Sequence, residues 1–123
     1  MKKKIFSFLI VTCALFMITC VVYAASYTGS YNMTGGIFYK RAFSKGTKLT
    51  ITVKPEKGTS SCQMNLYTAK KNLLGKYSGA DLIGKVSSTN KDSITYTTKS
   101  KIDGIYFRNY SGNKWIGTFT VKW

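Results

Sequence analysis

Tyr106, Arg108 and Tyr110 are the residues whose types and spacing best fit ligand-binding chemistry. They alternate with Ile105 and Phe107, so in a strand the three polar-tipped side chains share one face. If Ile105 and Phe107 point inward, the other three form an exposed Tyr-Arg-Tyr stripe. Tyrosine rings stack on sugars or bases, and a guanidinium adds a charged hydrogen-bonding fork. The alternative places Tyr106 and Tyr110 in the core.

Catalytic chemistry has few candidate residues. The sequence contains no histidine, which excludes Ser-His-Asp and Cys-His pairs and removes the commonest metal ligand. Its carboxylates, Glu56, Asp81, Asp92 and Asp103, all lie in or beside predicted turns, where such groups usually cap the backbone or are solvated. A glycosidase pair drawn from the three aspartates is the alternative. We therefore predict no enzyme activity, no cofactor and no metal site.

Cys62 is the only cysteine after residue 24, because Cys13 and Cys20 lie in the N-terminal segment. Residues 25–123 therefore cannot form an intrachain disulfide. Alternation with Met64 and Leu66 places Cys62 on the core face of a strand, where a thiol is buried and inert. A dimer linked through Cys62 is the alternative.

Positive charge dominates the chain, which has 19 Lys and Arg against 4 Asp and Glu. Without the three lysines Lys2–Lys4, 16 basic residues remain against the same 4 acidic ones, a net charge of +12. A field of this sign attracts anions. The longest later lysine run is Lys70–Lys71, which joins the candidate binding residues. This spread favours diffuse adsorption to polyanions over a specific nucleic-acid site, although the lysines would also keep a secreted protein soluble.

Short strands must position these side chains. In Lys48 to Lys54 the apolar residues Leu49, Ile51 and Val53 alternate with polar ones, which predicts a half-buried strand that Pro55 and Gly58 end. Further strands are predicted over 37–43, 62–67, 82–87, 93–98, 104–110 and 117–123. Residues 25–36 are an edge strand or a flexible arm, and 69–79 a lysine-bearing loop. Such strands without a helical pattern predict an all-β antiparallel sandwich or barrel.

A family resemblance covers about three quarters of residues 25–123. Its residues are Gly46-Thr47-Lys48-Leu49-Thr50-Ile51-Thr52-Val53, Met64-Asn65-Leu66-Tyr67, Ser93-Ile94-Thr95-Tyr96, Asp103-Gly104-Ile105-Tyr106-Phe107-Arg108 and Gly117-Thr118-Phe119-Thr120-Val121. This spacing resembles the bacterial pre-peptidase C-terminal domain, a jelly-roll sandwich appended to secreted enzymes. The resemblance implies a jelly-roll-like sandwich with an accessory or binding role. The family's acidic residues of the second motif are here Gln63 and Asn65, so no calcium site is expected on them.

The N-terminal 24 residues have the three parts of a secretory signal peptide. Lys2–Lys4 form the positive region, 5–22 are apolar, and Val22-Tyr23-Ala24 is a cleavage-type tripeptide, with Ala25 as the neighbouring option. An uncleaved anchor and a lipoprotein modified at Cys20 are the alternatives. We expect 1–24 to be removed and 25–123 to be one secreted β-sandwich domain, extracellular or wall-associated.

These observations favour a secreted, strongly basic, non-enzymatic module that associates with anionic cell-envelope or extracellular polymers. The expected partners are anionic polysaccharide, teichoic acid or a membrane surface, without specific nucleic acid. Tyr106, Arg108, Tyr110, Lys70 and Lys71 are the candidate binding residues. The alternative is a secreted cationic antimicrobial protein of bacteriocin type acting on competitor membranes.

Overall fold

Eight β-strands make up the regular structure in a computed structural model that describes residues 25–123. The strands are β1 Ser26–Met33, β2 Gly36–Tyr39, β3 Lys48–Lys57, β4 Met64–Lys71, β5 Tyr77–Val86, β6 Asp92–Thr97, β7 Gly104–Arg108 and β8 Trp115–Lys122. The predicted signal peptide, residues 1–24, lies outside this range. No helix in residues 25–123 is long and apolar enough to cross a bilayer.

Two four-stranded antiparallel sheets pack face to face. The first has the order β1-β8-β3-β6 and the second the order β2-β7-β4-β5. Consecutive strands therefore alternate between the sheets, except at the β4–β5 hairpin. This strand order is that of an eight-stranded jelly roll. The predicted all-β, jelly-roll-like sandwich is confirmed.

The core lies between the sheets and is built by alternate residues of each strand. In β3, Leu49, Ile51 and Val53 are completely buried, as the period-two pattern predicts. In β8, Phe119 and Val121 are buried in the same way. Phe43 and Ile102, which pair in an isolated bridge outside the strands, also belong to the core. The remaining core residues are Tyr31, Met33, Met64, Leu66, Val86, Ile105, Phe107 and Trp115. Each sheet is therefore left with an outer face whose side chains are free for other contacts.

The structure decides between the two alternatives for the first segment and corrects one predicted loop. The first strand, β1, is an edge strand that pairs with β8 from Ser26 opposite Lys122 to Met33 opposite Trp115, so the edge-strand alternative for residues 25–36 is correct. The predicted loop 69–79 is wrong. Its two halves belong to β4 and β5, and only residues 72–76 form the turn between Lys71 and Tyr77. This hairpin was predicted as a loop because apolar and polar residues do not alternate over 69–79.

Pro55 does not end β3, which continues to Lys57. The β6 partner stops opposite Val53, while β8 continues beside Pro55 across a register shift. Pro55 therefore lies where β3 has no partner on one side, a position that tolerates a missing N–H.

Cys62 lies before β4 rather than within it. Its backbone N–H bonds the carbonyl of Thr59 at 3.2 Å, and the side chain is half-buried against the core. The predicted place on the core face of a strand is therefore wrong, although the thiol does pack against the core. The thiol is free.

Candidate functional site

The orientation of β7 places the candidate residues on an outer face. Ile105 and Phe107 are completely buried, while Tyr106 and Arg108 are half-buried on the opposite side of the strand. Tyr110 follows the end of β7 and is 57% exposed. The structure therefore brings the three residues of the predicted stripe together on the outer face of the second sheet.

Three more aromatic rings join this face. Phe38 of β2 and Tyr67 of β4 lie opposite Tyr106 in the strand register. The Phe38 ring stacks on Tyr106 with centroids 4.3 Å apart, and the Tyr67 ring lies 6.0 Å from Tyr106. Tyr77 of β5 contacts Phe38 at 5.9 Å. We call Phe38, Tyr67, Tyr77, Tyr106 and Tyr110 the aromatic surface. Phe38, Tyr67 and Tyr77 were not among the predicted site residues.

Two glycines leave the space that the Tyr106 ring occupies. A Cβ added to Gly36 would lie 2.5 Å from Cε2 of Tyr106, and one added to Gly79 would lie 2.9 Å from its Cδ1. Both distances are too short for a real contact, so the ring occupies the space that these residues leave by lacking a side chain. Gly36 and Gly79 thus allow Tyr106 to lie close to the sheet.

A polar network closes one end of the aromatic surface. The hydroxyls of Tyr67 and Tyr110 are 3.1 Å apart, and the Asn65 amide donates to the Tyr67 hydroxyl at 3.2 Å. The hydrogen bond with Tyr110 and that from Asn65 lower the pKa of Tyr67. The Arg108 guanidinium lies over the Tyr110 ring, 4.7 Å from its centroid. This cation–π contact holds the positive charge beside the rings.

Asn109 fixes the turn that carries Tyr110. Its side chain is 1% exposed, and its amide donates to the carbonyls of Met33 at 3.1 Å and Asn113 at 2.6 Å. Its Oδ1 accepts from the backbone N–H and the hydroxyl of Ser111, at 2.9 and 2.6 Å. Because these bonds satisfy the buried amide, the turn is held in one conformation. The Tyr110 ring is thereby held at the edge of the aromatic surface.

An open depression of about 210 Å³ lies among these rings. It is lined by Tyr67, Gly79, Ala80, Tyr106 and Tyr110. Its walls offer ring faces and phenol hydroxyls, with the Arg108 guanidinium beside Tyr110. This combination suits a sugar ring that carries an acidic group, because the ring stacks while the acid pairs with Arg108.

The outer face of the first sheet has different chemistry. One row across the strands consists of Thr28, Thr120, Thr52 and Ser93. Their hydroxyls pair, Thr28 with Thr120 at 3.0 Å and Thr52 with Ser93 at 2.7 Å. A shallow basin of about 360 Å³ lies on this face, and no carboxylate lines it. Its lining residues are Thr52, Ser93, Thr118, Thr120, Lys54, Lys91 and Lys122. We call this basin the hydroxyl–lysine face, and its charge suits polyanions.

Comparison with known proteins gives no family. No protein-family model matches the sequence, and no characterised protein matches it significantly by sequence. Among solved structures, the chain is similar to the crystal structure of Aeromonas hydrophila PliG, a periplasmic lysozyme inhibitor of g-type lysozyme. The two are 19% identical, the match covers 81% of this chain and 85% of PliG, and the TM-score is 0.43. A likeness this distant assigns neither partner nor activity. The resemblance to the pre-peptidase C-terminal domain stays a prediction.

Lys70 and Lys71 lie away from the aromatic rings of Tyr67 and Tyr110. They end β4 beyond the Ala69–Gly104 pair, whereas Arg108 pairs with Asn65 near the start of that strand. The Lys70 ammonium is held by the Lys101 carbonyl and lies 3.5 Å from the Ser100 hydroxyl. The two lysines therefore lie apart from the Tyr-Arg-Tyr stripe, and Lys71 instead pairs with Tyr77 at the far end of the aromatic surface.

Two of the carboxylates bond the backbone. Asp92 accepts from the N–H groups of Ser87 at 2.8 Å and Ser93 at 2.9 Å. Asp103 accepts from the N–H of Lys71 at 2.9 Å. Both aspartates therefore fix turns, as expected of carboxylates in such positions. Within residues 25–123, no group of three or more His, Cys, Asp or Glu side chains is placed to hold a metal ion.

Proposed function

We propose that residues 25–123 form a secreted, non-enzymatic module that binds anionic polysaccharide of a cell envelope or extracellular matrix. The observation that carries the proposal is the depression in which Tyr67, Tyr106 and Tyr110 meet beside Arg108. Stacking surfaces and a guanidinium at one place recognise both parts of an acidic sugar.

The remaining charge would act on the rest of the polymer. The hydroxyl–lysine face presents Lys54, Lys91 and Lys122 on the opposite sheet. Together with the net charge of the domain, it would draw a polyanion to the surface over a range set by the salt concentration. Teichoic acid, whose anions are phosphates, is a further polymer that this charge suits.

Binding of residues 25–123 to polygalacturonate and to neutral dextran tests the proposal. Tyr110→Ala should weaken polygalacturonate binding by about 1–3 kcal/mol, taking base–aromatic stacking as the nearest scale. Arg108→Gln should weaken binding to the acidic polymer and leave binding to dextran unchanged. Tyr27→Ala is the matched control, because Tyr27 is 46% exposed on β1, outside the aromatic surface. Equal affinities for the Tyr110→Ala variant and the original chain would refute the site.

The antimicrobial alternative makes a separate prediction. A protein that kills by permeabilising membranes releases a trapped dye from vesicles, whereas a binding module leaves them intact. Dye release by residues 25–123 at micromolar concentration would favour the antimicrobial function over the polysaccharide-binding one.

A further inference from the structure

The tip of the β4–β5 hairpin exposes two adjacent leucines. Leu73 is 107% and Leu74 84% exposed, whereas every residue of the core is at most 4% exposed. Single exposed leucines are common on protein surfaces. Two neighbours that project fully from a protruding turn are not explained by folding, because neither contributes to the core.

The turn that carries them is rigidly built. The Asn72 side chain accepts from the backbone N–H groups of Leu74 at 3.0 Å and Lys76 at 2.9 Å. The Asn72 N–H bonds the Lys76 carbonyl at 2.9 Å, and Gly75 supplies the positive φ of 79° that closes the turn. The leucines are thus held outward before any partner binds, which lowers the entropy cost of docking.

Lysines surround the base of the same tip. Lys71 and Lys76 flank the turn and are exposed. Lys70 ties the hairpin to the loop of residues 99–101 through the Lys101 carbonyl and the Ser100 hydroxyl, which brings Lys99 and Lys101 to this end of the sandwich. The Asp103 carboxylate lies here too, bonded to the Lys71 N–H. The end of the molecule is apolar at its tip and basic around it.

We propose that this hairpin tip docks the protein on lipid bilayers that carry anionic headgroups. Leu73 and Leu74 enter the boundary between headgroups and acyl chains, and the surrounding lysines pair with the headgroup phosphates. A protein partner would suit the leucines but would leave the lysines around them without a role. The tip lies at the far end of β4 from Asn65. Tyr77 borders it, opposite Lys71, but docking leaves the depression lined by Tyr67, Tyr106 and Tyr110 open to its own ligand.

Vesicle sedimentation tests the proposal with residues 25–123, which contain the entire sandwich and its core. We expect binding to vesicles of equal parts phosphatidylglycerol and phosphatidylcholine, and much weaker binding to phosphatidylcholine alone. The double variant Leu73→Ser/Leu74→Ser should lose at least about tenfold in partitioning, from the apolar area that it no longer buries. Leu82→Ser is the matched control, because Leu82 is 51% exposed but lies within β5.

A second reporter gives the depth of insertion. Leu73→Trp introduces a fluorophore at the tip, and its emission should shift to the blue and be quenched by lipids brominated on their acyl chains. Unchanged partitioning of the double-serine variant would overturn the proposal, as would a lack of quenching in Leu73→Trp. Analytical ultracentrifugation measures whether the leucines instead mediate dimerisation. Leucine-dependent dimers without vesicle binding would overturn the proposal and would identify a second copy of the chain as the partner of the tip. Tyr110→Ala should bind these vesicles normally, which separates this test from that of the polysaccharide site.

Discussion

Tyr31 fills space between the two sheets at an energetic cost. The side chain is 2% exposed, and its hydroxyl has no hydrogen-bond partner within residues 25–123. Desolvation, with a smaller contribution from the charge of Glu56, raises the pKa of Tyr31 to about 12. A buried hydroxyl without a partner loses its bonds to water and gains none in return.

Tyr31→Phe should therefore leave the free energy of unfolding unchanged or raise it by up to about 1 kcal/mol, measured by urea denaturation. The raised pKa adds a pH signature. The folded state keeps the Tyr31 proton up to about pH 12, whereas the unfolded state loses it above the ordinary pKa of 10. The part of the folding stability that comes from this difference in pKa is therefore fully present below pH 10 and is lost as the pH rises towards about 12. The Phe variant should lack that part of the alkaline loss. A variant destabilised at neutral pH would show that the hydroxyl has a partner after all.

Asn109 differs from Tyr31, because its buried side-chain amide makes hydrogen bonds through both its nitrogen and its oxygen. Asn109→Ala should lower the free energy of unfolding by about 2–3 kcal/mol, since the carbonyls of Met33 and Asn113 lose their donor. It should also weaken polysaccharide binding, because Tyr110 is no longer held at the edge of the aromatic surface. Thermal unfolding and a binding titration measure the two effects. Asn113→Ala is the control, since only the main-chain carbonyl of Asn113 takes part in the bond to Asn109.

At the scale of the strand, alternation predicted which residues of 105–108 share a face, but not their neighbours across the sheet. Alternation in residues 105–108 placed Tyr106 and Arg108 on one face, because the period of a strand is local, but it left open whether that face points outward. The structure turns it outward. Phe38 and Tyr67 join Tyr106 through pairings that span much of the chain. Such register depends on the packing of whole sheets rather than on any local pattern. The aromatic surface was therefore only partly visible in the sequence.

The strand β5 was harder to predict for a related reason. Its pairing with β4 has register shifts on both sides of Tyr67. Register shifts of this kind break the strict alternation that identifies a strand. The exposed residues Ser78 and Gly79 were consequently assigned to a loop, and the strand was predicted to begin only at Leu82. One of them, Gly79, lies beside Tyr106.

Gly79→Ala should disturb the aromatic surface while leaving the fold intact. The added Cβ would meet Tyr106 at 2.9 Å, so the ring must move. We expect weaker polysaccharide binding and an altered near-ultraviolet circular dichroism spectrum of the tyrosines, with a far-ultraviolet spectrum that remains that of a β-sheet protein. Ser78→Ala, at the neighbouring exposed position, controls for a change in β5 itself. Normal binding by Gly79→Ala would mean that the position of the Tyr106 ring does not matter to the ligand.

At the scale of the whole molecule, charge and ring stacking act over different distances. Exposed charges interact over roughly 8–10 Å at physiological salt and about 30 Å in dilute buffer. The lysines of residues 25–123 are spread over both sheets and the loops between them, from Lys40 to Lys122. The electrostatic part of binding therefore belongs to the molecule rather than to one residue.

Affinity for polygalacturonate should accordingly fall steeply between dilute buffer and physiological salt, and then level off. Single changes such as Lys45→Ala or Lys114→Ala should each cost less than about 0.5 kcal/mol. The binding that persists at high salt should be weakened by Tyr110→Ala by about 1–3 kcal/mol, the same as at low salt, because stacking is not screened. Titrations at several salt concentrations measure all three effects. Affinity that changes with neither salt nor Tyr110 would contradict both contributions.

The pairing of β1 with β8 has a consequence for the time course of folding. Ser26 lies opposite Lys122, so the first sheet joins strands separated by nearly the whole of residues 25–123. β3 also takes β8 as its neighbour, and that sheet cannot assemble until Trp115–Lys122 has left the ribosome. Closing such long loops is slow, typically milliseconds to seconds for all-β domains of this size. During synthesis the first sheet therefore remains incomplete until β8 is made, whereas the second sheet needs no part of β8.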